Sequence, residues 1–420
     1  MKTHTVRALM PMAGGTGGRL AYGGWRAPAA RLAARTGALA LVLSACHTGS
    51  IPADTERVAP GVYHHRVELI EGPWVIHVLE VDLPQAWRAG IRIRSARGQE
   101  PGTGLERTSA LAADAVAAVN GDFYYQDKPA RTAGLQIREG TLLARPRRRS
   151  AFAITPDGRP MVAVFGFEAG LITADRRVLP ILQLNREPPA DGITYYNHFA
   201  QGVHDTVHAA VGFELQTLGK QSVVNDTVAA RVTQVRRQAW PLKLMPGQWL
   251  VAAGGDNPDV ASIVPGDTVR LFCRLPPSSG PLAEAIGGGP RIIRDGAVSI
   301  EHEQEGLSPD FATARHPRTA VGYSRTGKVL FLVTVDGRQP GYSVGMTLQE
   351  LADLMANRLA RFSQSRRNAY QAINLDGGGS TTMVVRHQVV NRPSDQTGER
   401  PVANALLVVG PETRTAALFP

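Results

Sequence analysis

From Gly61 onward the chain is written in short, alternating apolar stretches broken by glycine and proline, and this pattern leaves room for little except sheets. "PWVIHVLEVDL" and "GIRIRSA" come first; "GLQIREGTLLA" and "SAFAITPDGRPMVAVF" follow as paired runs with glycine at the turn. "MPGQWLVAAGGDNP" and "IVPGDTVRLFCRL" continue the same alternation through the middle. Period-two alternation bounded by turn residues is the signature of half-buried strands, and paired runs across a short glycine-containing turn read as hairpins. No repeat and no linker interrupts the series after residue 60. One large β-rich domain over 61–410 is the economical reading, with 411–420 as a C-terminal tail.

The last third adds a helix. In "TLQELADLMANRLARF" Leu348, Leu351, Ala352, Met355, Leu359 and Phe362 fall on one face, and Thr347 with Glu350 three residues later forms a capping box. The helix lies between "KVLFLVTVDGR", a continuous apolar strand of the fully buried kind, and "YQAINLDGGG". The expectation is an α+β fold: a single β-rich domain with a mixed sheet and a C-terminal β-α-β unit carrying the site. If its two strands pair in parallel, Asp336 and Asp376, each just past a strand, share one rim.

The net charge of +10 would suggest an anionic partner, but six of those charges (Lys2, Arg7, Arg19, Arg26, Arg31 and Arg35) fall in residues 1–46, which contain no Asp or Glu. The remainder is mildly basic, so nucleic acid gains little support. The basic leader runs into "TGALALVLSAC", too short to span a bilayer as a mature helix but suited to the apolar region of a signal peptide. Leu43-Ser44-Ala45-Cys46 resembles a bacterial lipoprotein signal, so residues 1–46 are expected to be removed up to a lipidated Cys46 and 47–60 to serve as a tether. The expected location is the bacterial cell envelope, with the protein held by its acyl anchor. Cys273, in an alternating strand, is then left as a buried and inert thiol.

Four stretches concentrate chemistry: "VNGDFY", "AIGGGPRIIRDG", "HPRTAVG" with "VDGRQPGYSVGMT", and "NLDGGGSTT". They supply the carboxylates Asp122, Asp336 and Asp376, the amides Asn120 and Asn374, the guanidiniums Arg318 and Arg338, and the hydroxyls Thr319, Ser343, Ser380 and Thr381. Gly377, Gly378 and Gly379 would open backbone N–H groups to an anion or a sugar oxygen. Arginine forks recognise phosphate, and paired carboxylates are what glycosidic cleavage needs. Asn120-Gly121 or Asp336-Gly337 alone would be ordinary turns, and Gly287-Gly288-Gly289 alone a bulge or a close packing. His198, His204 and His208 include a metal-like spacing, but no HExxH-type glutamate accompanies them and zinc is not expected.

Taken in order, "TSALAADAVAAVNGDFY", "GLQIREGTLLA", "AIGGGPRIIRDG", "RTAVGYSRTGKVLFLVTVDGRQPGYSVGMTLQELADLM" and "AINLDGGGSTTMVV" resemble the phosphodiester glycosidase domain family over about residues 61–410. Asn120, Arg318, Thr319, Asp336, Arg338, Asp376 and Ser380 stand at that family's motif positions. Asp122 and Tyr124 depart from the "NGGFF" of many relatives. The resemblance implies hydrolysis of the sugar–oxygen bond of a sugar-1-phosphodiester. Arg318 and Arg338, with the glycine amides, would hold the phosphate, and Asp376 or Asp336 would be base or nucleophile. No cofactor is expected, a divalent cation being the open alternative. Two other readings stand beside this one: a non-catalytic glycan- or phosphate-binding lipoprotein, and a metal-dependent phosphodiesterase cutting the P–O bond with Asp122, Asp336 and Asp376 as hard ligands.

Overall fold

A computed structural model describes residues 51–411 except 100–103, 127–129, 201–205, 208, 238–239, 242 and 256. The leader with Cys46, the tail beyond Pro411 and the pair His204 and His208 lie outside the described residues.

The site-bearing sheet has eight strands in the order Asp54–Ala59, Val62–Leu69, Trp74–Asp82, Val329–Val335, Arg318–Tyr323, Gln371–Asn374, Arg291–Arg294 and Ala297–Val298. Every neighbouring pair in it is antiparallel. A five-stranded antiparallel sheet, Gln388–Val389, Met383–Val385, Ala115–Asn120, Asn404–Val409 and Arg92–Arg97, packs against one face of the first. Leu79, Val81, Leu330, Leu332 and Ile373 meet Val119, Met383 and Leu406 in that layer. The alternate residues Ile76, Val78, Phe331 and Val333 point to the other face, under Leu348, Leu351 and Met355. A strand covered on both sides must be apolar at every position, which is why "VLFLVTV" shows no alternation.

Two further sheets, of eight and five strands, share a separate core built from the middle of the chain. The two hairpins read from the sequence belong to the five-stranded one, as Gln136–Arg138 with Thr141–Ala144 and Ser150–Ile154 with Pro160–Val164. Cys273 is buried in this core, where loss of solvent pushes its thiol up to about 12.

The α+β expectation is corrected: the molecule is mostly β, and the C-terminal β-α-β unit is not formed. Arg318–Tyr323 inserts between Val329–Val335 and Gln371–Asn374 and runs antiparallel to both. The physical reason is local: the turn after Tyr323 is short enough to form a hairpin, and the hairpin partner occupies the edge that a parallel crossover would need. Two antiparallel steps restore direction, so Val335 and Asn374 still end at the same rim. The helix is also modified. Its capping box forms, with the Thr347 hydroxyl accepting from Glu350 N at 3.1 Å and the Glu350 carboxylate accepting from Thr347 N at 2.9 Å. Only Leu348–Asp353 is α-helical, and Leu354–Arg358 widens into a π turn. Residues 54–59 of the expected tether form an edge strand.

Candidate active site

Asp376 follows the Gln371–Asn374 strand at the rim, and its position is fixed through its backbone. Its N–H donates to Gly121 O at 2.9 Å, and its carbonyl accepts from Asn120 Nδ2 at 2.7 Å. Asn120 is fully buried; its Oδ1 accepts from the Thr319 hydroxyl at 2.7 Å and from Thr382 N at 3.1 Å. One amide thus ties the ends of strands from both sheets to the Asp376 loop. Thr319 also touches the Thr381 hydroxyl at 3.4 Å.

The glycine triplet turns the chain away in a 3-10 turn, Gly378–Ser380. Gly378 has φ of +61°, a conformation glycine alone adopts at no cost. Its N–H donates to Pro317 O at 2.9 Å, and the Gly377 N–H donates to the Asp376 carboxylate at 2.9 Å. Two of the three amides expected to face an anion are therefore committed inside the protein. A Cβ on Gly378 would lie 3.0 Å from Arg338 Nη2, and one on Gly379 would lie 2.2 Å from Arg400 Nη2, so a guanidinium rests close over each glycine. Arg400 is gripped by Asp395 through two hydrogen bonds, of 2.7 and 3.0 Å.

Asp376 is half-buried as a residue. Burial pushes its carboxyl up to about 6, against the opposing pull of Ser380, the Gly377 N–H and Arg400. Ser380 is buried and close enough to act on the carboxylate, although its hydroxyl makes no well-formed hydrogen bond. The second carboxylate is Asp122, 2% exposed. Its Oδ2 accepts from Gly134 N at 2.7 Å and from the Thr132 hydroxyl at 3.2 Å. Burial foremost, with the charge of Asp376 adding to it, raises Asp122 to about 7. A Cβ on Gly287 would sit 2.4 Å from Asp122 Oδ2, so the first glycine of "GGGP" makes room for this carboxyl. The second lies against Asn374 O, at 2.7 Å from a Cβ there.

Asp336 stands at the same rim with its carboxylate occupied by the protein. It is 1% exposed; Oδ1 accepts from Asn391 Nδ2 at 3.0 Å and Arg392 N at 3.1 Å, while Oδ2 accepts from Arg392 N at 3.0 Å and the Tyr342 hydroxyl at 3.1 Å. Burial raises its pKa in spite of those donors. Ser343, buried below it, donates to Asp336 O at 2.6 Å and accepts from Val75 N at 3.1 Å. Asn374 is likewise internal, its Nδ2 donating to Leu375 O and Gly289 O.

The two arginines expected on phosphate separate sharply. Arg318 is buried, with Nε donating to Met346 O at 2.8 Å and Nη2 to Phe311 O and Ala314 O at 2.9 and 2.7 Å. Desolvation, with Arg338 nearby, lowers it to about 10. It anchors the 309–314 segment through these carbonyls. Arg338 is exposed, holds φ of +59°, and contacts His316 Nδ1 at 3.2 Å. Among the described residues no group of three His, Cys, Asp or Glu forms a metal-like cluster, so Asp122, Asp336 and Asp376 are not gathered as one ligand set.

Sequence reasoning passed over Arg400, Asn391, Arg392 and Tyr342. The first three sit in the polar stretch "NRPSDQTGER", which carries no periodicity and so reads as an ordinary loop. Tyr124 was visible only as a departure from a pattern. Its phenol lies where burial first, then Asp376, raise its pKa, and where Ser380 and Arg400 approach it.

Residues 223–409 match the phosphodiester glycosidase family model. N-acetylglucosamine-1-phosphodiester alpha-N-acetylglucosaminidase from Bos taurus is 31% identical over 127 residues, which is 28% of this chain and 22% of the relative; the Homo sapiens enzyme is 29% identical over the same shares. The chain thus aligns with less than a quarter of the length of these relatives. Among solved structures, a hypothetical protein from Synechocystis superposes with a TM-score of 0.64 at 21% identity, over 85% of this chain and 63% of that one. A putative exported protein from Burkholderia pseudomallei gives 0.59 at 24% identity, over 80% and 74%. At those identities the superpositions establish a shared fold. Arg318, Asp336, Arg338, Asp376 and Arg400 all lie within the segment that matches the phosphodiester glycosidase family model.

Proposed function

We propose that this chain is a hydrolase that cleaves the sugar–oxygen bond of sugar-1-phosphodiesters. The observation that carries the proposal is Asp376 itself, held at the rim by Asn120 and Gly121 beside the guanidiniums of Arg338 and Arg400. A second carboxyl, Asp122, is near enough to feel its charge; burial foremost holds Asp122 at about 7 and Asp376 at about 6. A pair poised this way carries one negative charge near neutrality, placed on Asp376. Asp376 acts at the anomeric carbon, either attacking it or drawing the proton from an attacking water, and its charge supports the developing oxocarbenium centre. A phosphodiester oxygen leaves readily, so its protonation matters less than holding the anion. Arg338 and Arg400, which flank the glycine turn, supply that hold, with the Gly379 amide between them. Asp336, Asn120, Thr319, Thr381, Ser343, Asn374 and Arg318 position the loops that carry these groups. The basic, apolar leader ending at Cys46 supports export and lipid anchoring to the bacterial envelope, with envelope or extracellular glycans as the substrate class.

Purified protein incubated in H2-18O with a GlcNAc-1-phosphodiester tests the reading directly. Label in the released sugar, and its loss in Asp376→Asn, are expected. Label in the phosphate would overturn sugar–oxygen cleavage. Radiolabelled palmitate fed to cells expressing the full chain, with and without Cys46→Ala, tests the anchor: label in the native chain and none in the variant is expected.

A further inference from the structure

Across a thin wall from Asp122 lies a cavity of about 240 Å³ lined by Arg97, Arg131, Arg145, Arg147 and Arg186, with Tyr125 at one side. Its described lining contains no Asp or Glu. Arg131 and Arg147 both lie over the Tyr125 ring, their guanidinium carbons 4.3 and 5.4 Å from its centroid. Arg145 donates to the Leu182 carbonyl. These five arginines come from four separate segments, the strands ending at Arg97 and beginning at Arg131, the "ARPRRRS" run and the loop after Leu184, so their convergence is a product of the fold and not of one charged tract. The mutual repulsion is felt: burial first, then Arg131, Arg145 and Arg147, lower the proton affinity of Arg186. Holding Arg145, Arg147 and Arg186 on one cavity wall costs Coulomb energy that a bound anion would offset, and the arginine fork is suited to phosphate oxygens.

The wall is shared with the reaction site. Thr132 and Gly134 line the cavity and are the same residues that donate to Asp122 Oδ2. Arg147 also borders the small gap between Asp122, Gly134 and Gly287.

We infer that this arginine-lined cavity is a second anion subsite, and that the preferred substrates are sugar-1-phosphodiesters whose leaving portion carries a further phosphate or comparable anion. The substrate part of this inference rests on the proposed function; the anion site itself does not.

Two measurements keep the parts distinct. Calorimetric titration of the full chain with inorganic tripolyphosphate should show binding that weakens at least tenfold in Arg145→Ala/Arg186→Ala and recovers partly in Arg145→Lys/Arg186→Lys, with thermal melting unchanged. Equal affinity in the alanine variant would overturn the site. Hydrolysis of GlcNAc-1-phosphodiesters with a methyl or a 2-phosphoethyl leaving portion should give a KM at least tenfold lower for the second, and the alanine variant should erase that difference while kcat for the methyl compound stays the same. Equal KM values would overturn the substrate class. If neither compound is cleaved, the proposed function fails, and the tripolyphosphate titration still decides the site.

Discussion

Asn120 Nδ2 donates to the Asp376 carbonyl at 2.7 Å while Asn120 Oδ1 receives the Thr319 hydroxyl and the Thr382 amide, so one buried side chain sets where the candidate catalytic loop begins. Asn120→Ala strands three buried polar groups. At about 1–3 kcal/mol for each unsatisfied group, partly relieved by relaxation, a loss of about 3 kcal/mol is expected. Urea denaturation would read that loss. Because the loop carrying Asp376 shifts, kcat should fall by more than KM rises.

The elevated pKa of Asp122 makes a stability prediction with a definite sign. Its folded value, about 7, lies above its ordinary value of 3.8. Between those values the folded state binds the proton and the unfolded state does not, so this residue's contribution to stability falls as pH rises from about 4 to about 7. Asp122→Asn keeps an oxygen for Gly134 N and the Thr132 hydroxyl and removes the ionisation. The variant should match the native protein at pH 4 and exceed it by about 2–4 kcal/mol at pH 7.5. Equal denaturation midpoints at both pH values would contradict the raised pKa.

The same pair shapes the pH profile of turnover. Activity should rise through about 6 as Asp376 ionises and fall above about 7 as Asp122 ionises beside it. Asp122→Asn should keep the acid limb and lose the alkaline one. A profile in kcat/KM from pH 4.5 to 9 distinguishes the limbs.

Much of this was legible in the chain, and the boundary of legibility is physical. Alternation and turn glycines located the strands and hairpins because those signals are local, and the Thr347–Glu350 capping box formed as read. Strand order is not local. Nothing in the residues between Val335 and Gln371 records that Arg318–Tyr323 has taken the place between their strands. The motif residues were found, but burial separates their roles. Arg318 and Arg338 look equivalent in sequence, yet one spends its donors on carbonyls inside the protein and the other stands at the rim over Gly378. Arg400 escaped notice because a loop has no period to betray it.

That separation is testable on the arginines. Arg338→Ala removes an exposed side chain and should leave stability within about 0.5 kcal/mol while raising KM for a sugar-1-phosphodiester. Arg318→Ala leaves the carbonyls of Phe311, Ala314 and Met346 without their donor in a buried setting. A destabilisation of about 3 kcal/mol or more is expected there. Thermal melting and steady-state kinetics on both variants would show the contrast, and a stable Arg318→Ala with raised KM would restore it to the phosphate.

The two aspartates on the shared rim invite the sharpest comparison. Asp336 accepts four hydrogen bonds from Asn391, Arg392 and Tyr342, so its carboxylate is occupied by the protein. Asp376 accepts one well-formed bond, from the adjacent Gly377 N–H, so most of its acceptor capacity is left uncommitted. Asp376→Asn should therefore abolish turnover with little change in melting temperature. Asp336→Asn places an amide where two donors from one side already converge, so whichever way the amide turns, one N–H group faces another. It should melt at lower temperature, by an amount corresponding to about 1–3 kcal/mol, while the surviving folded fraction keeps a pH profile with the same acid limb. A native melting curve with lost activity in Asp336→Asn would move that residue into the chemistry and displace the assignment made for Asp376.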